Sequence, residues 1–397
     1  MSGCIQKKNP TGNNWSDVRP LTYTDDSSFY AGFSFPGSGS VLGSEPYLLC
    51  GNYGGTEVVS FMRFTALPAE GDFYIPGGYQ DSTYLELSLL KRSPLDEGSI
   101  DLQVYKLDQS WAADSTSLIL DANLTQITLE AFPVPDTVST QGTIVKIPIP
   151  PAELENWRSP SDTLGITLAV KTSAGSYVEI DAAESGKGPR LVFKYRNNDD
   201  AADAADSEYQ QRTTRDSYRI VGDAAPLLAD SWVISNTMPS RIYLNFVMDY
   251  DNFRGMPEDE GELGPVLSEE QRKRATINLA ELVFYVKESH YYSASTPYQL
   301  RGDKVRDSLD ISVPVVIEDA QLATGLTTLA VLRADSVVVN ITPLIQAYSS
   351  GDSAPWGVVV RSMQELRNFG WLELWHFTDA PADKKPKLRV TYTPPFL

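Results

Sequence analysis

The sequence predicts an all-β chain made of two tandem copies of one sandwich domain. Three observations carry this. First, the end of each half repeats: Gly188-Pro189-Arg190-Leu191-Val192-Phe193-Lys194-Tyr195 matches Lys385-Pro386-Lys387-Leu388-Arg389-Val390-Thr391-Tyr392. Leu164 to Lys171 likewise matches Pro355 to Arg361, and Ile149-Pro150-Pro151 matches Ile341-Thr342-Pro343. A shared order over roughly 45 residues marks an internal duplication. Second, apolar and polar residues alternate in short runs such as Tyr84 to Leu89 and Asp101 to Tyr105, which buries one strand face and wets the other. Third, Gly, Pro, Ser, Thr and Tyr are plentiful while long helical patterns are scarce, as many short strands and turns require.

Taken in order, residues 1–20 read as a polar tether. Met1-Ser2-Gly3-Cys4 is similar to the end of a bacterial lipoprotein signal, so Cys4 is the expected lipid attachment point and Cys50 an unpaired buried thiol. The apolar segment that normally precedes such a cysteine is missing before it, and a Cys4–Cys50 disulfide or a chance Ser-Gly-Cys is the alternative. The first domain is expected over 21–196, closing with the strand at Leu191–Tyr195. A polar, Ala- and Asp-rich linker follows over 197–216. The second domain runs over 217–397 and carries a long insertion, 249–276, without strand pattern. Within the insertion Ser268 and Gln271 are spaced for a capping box. Pro151–Trp157 and Pro343–Tyr348 each open with proline, which suits the first turn of a short structural helix.

Composition narrows the function. The net charge of −19 argues against a nucleic-acid phosphate backbone as partner. No apolar run is long enough for a spanning helix, so contact with a membrane is expected only through a lipid at Cys4. Two histidines, His290 and His376, and two cysteines have no zinc spacing, so no metal site is expected from them. Asp25-Asp26 and Asp249-Tyr250-Asp251-Asn252 offer oxygens for a structural calcium ion. They lack the spacing of a calcium loop and read as solvated turns, and no cofactor is called for.

The order of motifs resembles the DNRLRE domain, or disaggregatase-related repeat. The first half shows Ser60 to Phe64, Thr83 to Leu90, Gln109-Ser110-Trp111, Leu164-Gly165 and the closing Pro189 to Tyr195. The second shows Ser240 to Phe246, Ala280 to Val286, Trp356-Gly357 and Pro386 to Tyr392, without a counterpart of Trp111. The resemblance implies two tandem jelly-roll β-sandwich domains joined by a polar linker. It further implies a secreted or surface protein, often associated with polysaccharide. Fold analogy alone does not assign function.

The expected function is therefore non-catalytic: a lipid-anchored outer-membrane or cell-surface protein that binds a glycan or acts as an adhesive module. The alternative is a structural or accessory subunit of an envelope protein assembly. Serine–histidine and cysteine–histidine chemistry has no supporting motif. Glu179, Asp181 and Glu373 are acidic residues on late strands and read as polar positions of a wet sheet face, not as a glycosidase pair. The candidate ligand-binding residues are Trp371, Glu373 and Trp375. Alternation places them on one face of a strand, with Leu372, Leu374 and His376 on the other. Tyr291 and Tyr292 are a second candidate. Flat aromatic faces hold the apolar side of a pyranose while carboxylates take its hydroxyls.

Overall fold

Alternating apolar positions become strands of two antiparallel sheets, and the fold is all-β. The structure is a computed structural model. It describes residues 19–395 except 28, 38–42, 44, 54, 66, 68–72, 94–98, 129, 156–164, 198–205, 223–230, 247, 258–261, 291–298, 309–316, 324–328, 333–334 and 367. Cys4, Tyr291 and Tyr292 lie outside the described residues.

The chain begins with β1 (Leu21–Asp25), β2 (Phe29–Pro36), β3 (Tyr47–Tyr53), β4 (Thr56–Phe64), β5 (Phe73–Tyr74), β6 (Tyr84–Ser93) and β7 (Asp101–Leu107). It continues with β8 (Leu124–Gln126), β9 (Phe132–Pro133), β10 (Thr143–Pro148), helix α1 (Pro151–Glu155), β11 (Ile166–Thr172) and β12 (Ser176–Asp181). Next come β13 (Arg190–Asn197), β14 (Ser207–Arg212), β15 (Arg215–Val221), β16 (Ser231–Ser235), β17 (Ser240–Phe246) and helix α2 (Glu269–Lys273). The remainder is β18 (Thr276–His290), β19 (Gln299–Val305), β20 (Leu322–Ala323), β21 (Leu329–Leu332), β22 (Ser336–Asn340), helix α3 (Thr342–Ser350), β23 (Val358–Ser362), β24 (Trp371–Trp375) and β25 (Lys387–Thr393).

The first sheet has the order β14-β13-β6-β12-β3-β4-β11-β7-β8, with β10 on β6, β15 on β4, β9 on β7 and β5 on β13. The second has the order β1-β25-β18-β22-β21-β19-β23-β17-β16-β24, with β2 on β17 and β20 on β19. Here β24 returns to pair with the far end of β18, so the strand path closes on itself. Each sheet buries its own core. In the first, Leu85, Leu87 and Leu89 alternate inward from β6 onto Leu102, Val104, Leu168 and Leu191. In the second, Leu282 and Phe284 meet Ile242, Leu244, Val360, Leu372 and Leu388.

The duplicated motifs take equivalent places. Leu191 of β13 stands opposite Leu85 of β6, and Leu388 of β25 stands opposite Leu282 of β18. The repeated glycine has a steric reason. Gly165 and Gly357 both have positive φ, 147° and 103°, and a Cβ there would meet the carbonyl oxygen of Phe64 at 1.9 Å or of Leu244 at 2.5 Å. Helices α1 and α3 both follow a strand of the repeat, and α3 turns Leu344, Ile345 and Tyr348 into the core. The capping box at α2 forms as its spacing predicts, with Gln271 N–H donating to Ser268 Oγ at 3.3 Å and Ser268 N–H to Gln271 Oε1 at 2.8 Å. The insertion is held down from both sides, because Phe253 and Leu267 are buried in the second core.

Sheet membership corrects the expected domain boundaries. Residues 197–216 are not a linker throughout: β14 and the start of β15 lie there, and both strands belong to the first sheet. Residues 21–36 do not belong to the first half: β1 pairs with β25 and β2 with β17. Each half is thus completed by two strands that wrap its last strand and its fourth-strand counterpart. The first half takes the pair that follows it in sequence. The second takes the pair that precedes the first half, β1 and β2.

Side chains also bridge the halves. Phe369, from the loop before β24, enters the first core, where its ring lies 5.3 Å from that of Tyr177. Gly51 leaves the room, since a Cβ there would fall 2.4 Å from the Phe369 ring. The Tyr218 hydroxyl on β15 donates to Leu366 O at 2.7 Å, in the same loop. Leu366 itself has φ of 67°, a conformation that L side chains adopt only under surrounding constraint.

Candidate functional site

Strand β24 lies between β16 and β18. Its leucines, Leu372 and Leu374, are fully buried in the second core, so the strand pleat turns Trp371, Glu373 and Trp375 to the opposite face. Both tryptophans are half-buried there. Across the sheet Trp371 faces Ser235, Glu373 faces Val233 and Glu288, and Trp375 faces Ser231. Side chains two residues apart on a strand stand about 7 Å apart.

Glu373 is only 4% exposed and lies between the two rings. Its Oε1 meets Lys287 Nζ at 2.8 Å, and the same ammonium lies 5.3 Å from the centre of the Trp375 ring. One cation therefore neutralises the carboxylate and stacks on the indole. Lys287 reaches this face because β18 is irregular in its pairing with β24 between Val286 and Glu288. The alternation argument found the two tryptophans and the glutamate. It missed Lys287, whose placement depends on that irregularity.

His376 follows the leucines inward. Its ring lies 5.0 Å from that of Trp232 and 4.2 Å from that of Phe377, and Nδ1 is 2.8 Å from Thr378 Oγ1. Packing and local hydrogen bonding account for it. Cys50 is a free buried thiol that donates to Val170 O at 3.0 Å, and burial pushes its pKa up. Asp25 caps its own turn through the backbone N–H and hydroxyl of Ser27, and Asp249 caps another through Asp251 N–H. Among the described residues no three His, Cys, Asp or Glu side chains gather as metal ligands. Asp181 accepts from Ser88 Oγ at 2.6 Å and is buried, and Glu373 is buried too, so neither stands on a wet face as its late-strand position suggested.

A concave feature lies on the first half. A cleft of about 530 Å³ runs between β9, β10 and the start of α1. Phe132, Pro133, Ile147, Pro148 and Ile149 form its apolar walls, and Asp81 and Glu130 stand at it as exposed carboxylates. The size is that of ligand pockets in general. Its sequence signal was proline inside two strand patterns, which marks an edge and not a central strand.

Comparison of the chain with protein-family models, curated proteins and solved structures gives no match.

Proposed function

We propose that this chain is a non-catalytic binding protein of the outer membrane or cell surface, which retains a glycan on the outward face of β24. In this reading its halves are tandem jelly-roll domains of the DNRLRE kind, and a lipid on Cys4 holds it to the membrane. The observation that carries the glycan reading is the joint placement of Trp371 and Trp375 around the Glu373–Lys287 pair. Indole faces supply flat apolar surface for sugar C–H groups. The carboxylate and ammonium between them supply an acceptor and donors for hydroxyls.

The test is a glycan array with the intact protein, followed by Trp371→Ala and Trp375→Ala. Each variant is expected to lose retention while its melting temperature stays near that of the parent. If Trp375→Ala unfolds the second half, the ring is core and the site is wrong. If the intact protein retains no glycan at all, the alternative stands, a structural subunit of an envelope assembly. Mass spectrometry of protein taken from its native membrane tests the anchor, and an unmodified Cys4 would sink it.

A further inference from the structure

Apart from β5, which has no counterpart among the described residues, the strands of the two sheets correspond, yet the sheets differ at one seam. In the second half β21 pairs with β22, through Ala330 opposite Val339, Val331 opposite Val338 and Leu332 opposite Val337. The register shows what stands there in the first half. Leu85 faces Ile147 as Leu282 faces Val339, so β10 corresponds to β22. Leu107 faces Leu124 after one short turn, as Val305 faces Leu322 after another, so β7 corresponds to β19. Leu102 faces Phe132 as Leu300 faces Ala330, which makes β9 the counterpart of β21.

Among the described residues β9 pairs only with β7, and β10 pairs only with β6. The 530 Å³ cleft occupies the seam between them. Proline explains why it stays open. Pro133 stands where Val331 does and has no N–H for the ladder, and Pro148 stands where Asn340 does. The stretch of β10 that would carry the ladder, Val145 to Ile147, contains no proline. Its outer edge therefore has the backbone groups of a strand and no strand beside it among the described residues.

We propose that this seam is a binding site for an extended, basic polypeptide segment, which adds as a strand to the outer edge of β10. A row of backbone donors and acceptors recognises another backbone. The walls supplied by Phe132, Ile147 and Ile149 take apolar side chains at every second position of the incoming strand. The carboxylates of Asp81 and Glu130, on a chain of net charge −19, select basic flanks. Pro133 keeps β9 from competing for the same edge. The site lies on the opposite half from the tryptophan face and does not depend on the glycan reading.

The probe is a capped seven-residue peptide of alternating valine and threonine with lysine at each end, titrated at low salt. Saturable binding is expected, with amide exchange at Val145 to Ile147 slowed by about tenfold or more. A peptide with a central proline, or with glutamate in place of the lysines, is expected to bind at least about tenfold more weakly. The double variant Phe132→Ala/Pro133→Val, which installs the residues of the second half, is expected to close the seam and lose binding to the same extent. Absence of binding at millimolar peptide overturns the proposal. So does equal binding of the proline-containing peptide, or protection that falls elsewhere than on β10.

Discussion

Asp216 Oδ2 accepts the backbone N–H of Ala183 at 2.7 Å, and this bond ties β15 to the turn after β12. The carboxylate is buried, 2% exposed, and burial pushes its pKa up to about 7 against the pull of that N–H. Glu184 adds to the upward push.

The pH dependence follows from linkage. In the unfolded chain Asp216 titrates near 4, so between about pH 4 and 7 the folded state holds the proton and the unfolded state does not. Its contribution to stability is full below pH 4 and is lost as pH rises through 7. Complete loss amounts to about 4 kcal/mol at most. Urea unfolding at pH 5 and pH 8 should show Asp216→Asn gaining on the parent as pH rises. Parallel pH profiles for the two proteins would refute the assignment.

The N-terminal strands should act as a separable part of the second half. Removing residues 1–37 should strip β25 and β17 of the partner on one edge, leaving β25 on β18 and β17 on β23, and lower the melting temperature of the remainder. A synthetic peptide of residues 19–37 should bind in trans and restore it. The register gives a matched control: Tyr23 lies opposite Val390 as Tyr209 lies opposite Phe193. Tyr209 stacks on Phe193 at 4.9 Å and donates to Thr65 O at 2.7 Å. Tyr209→Ala should cost about 3–5 kcal/mol in urea unfolding.

Trp111 is a plug. It sits with Phe61, Val59 and Ile119 on the outer face of the first sheet, its Nε1 donates to Thr167 Oγ1 at 2.8 Å, and the Arg63 guanidinium lies 5.1 Å from its ring centre. Trp111→Ala should cost about 3–5 kcal/mol, measured by urea unfolding. Trp111→Phe keeps the packing but leaves Thr167 without its donor, and should cost less.

In the second half the corresponding outer face holds an ion network. Arg241, 1% exposed, grips Glu365 with two bonds of 2.8 and 2.7 Å and reaches Asp319 at 2.5 Å. Arg361 reaches Asp303 at 2.7 Å and Asp319 at 3.0 Å. Arg241→Ala strips the partly buried Glu365 of its two direct bonds, leaving it only Arg361 Nη1 at 4.0 Å, and should cost about 3–5 kcal/mol. Asp319 is half-exposed, so Asp319→Asn should cost only about 1 kcal/mol. Comparable losses for both variants would show that burial does not set the energetics of this network.

Strands with one wet face were legible because period-2 alternation survives translation into a sheet. Leu85, Leu87 and Leu89, or Leu388, Val390 and Tyr392, face inward as the pattern requires. Partners were not legible. Alternation fixes which face is buried, and says nothing about which half supplies the neighbouring strand. The segment Ser207–Arg212 looked like a linker because an edge strand needs few apolar residues, and only Tyr209 of its six is buried. On β24 the alternation that sets Trp371, Glu373 and Trp375 apart from the leucines was readable, but the burial of Glu373 and the placement of Lys287 depend on pairing detail that a single chain of letters does not carry.

Because Leu21 lies opposite Tyr392, the first strand and the last meet. The order of synthesis then runs against the order of assembly. The first half has all its strands once residue 221 has emerged, but β1 and β2, made before any of it, have no seat until β17 and β25 exist. The seat of β2 exists once β17 does, whereas that of β1 needs β25. Seating β1 on β25 is thus a pairing of very long sequence separation, the kind of contact that slows folding because the intervening loop must close first.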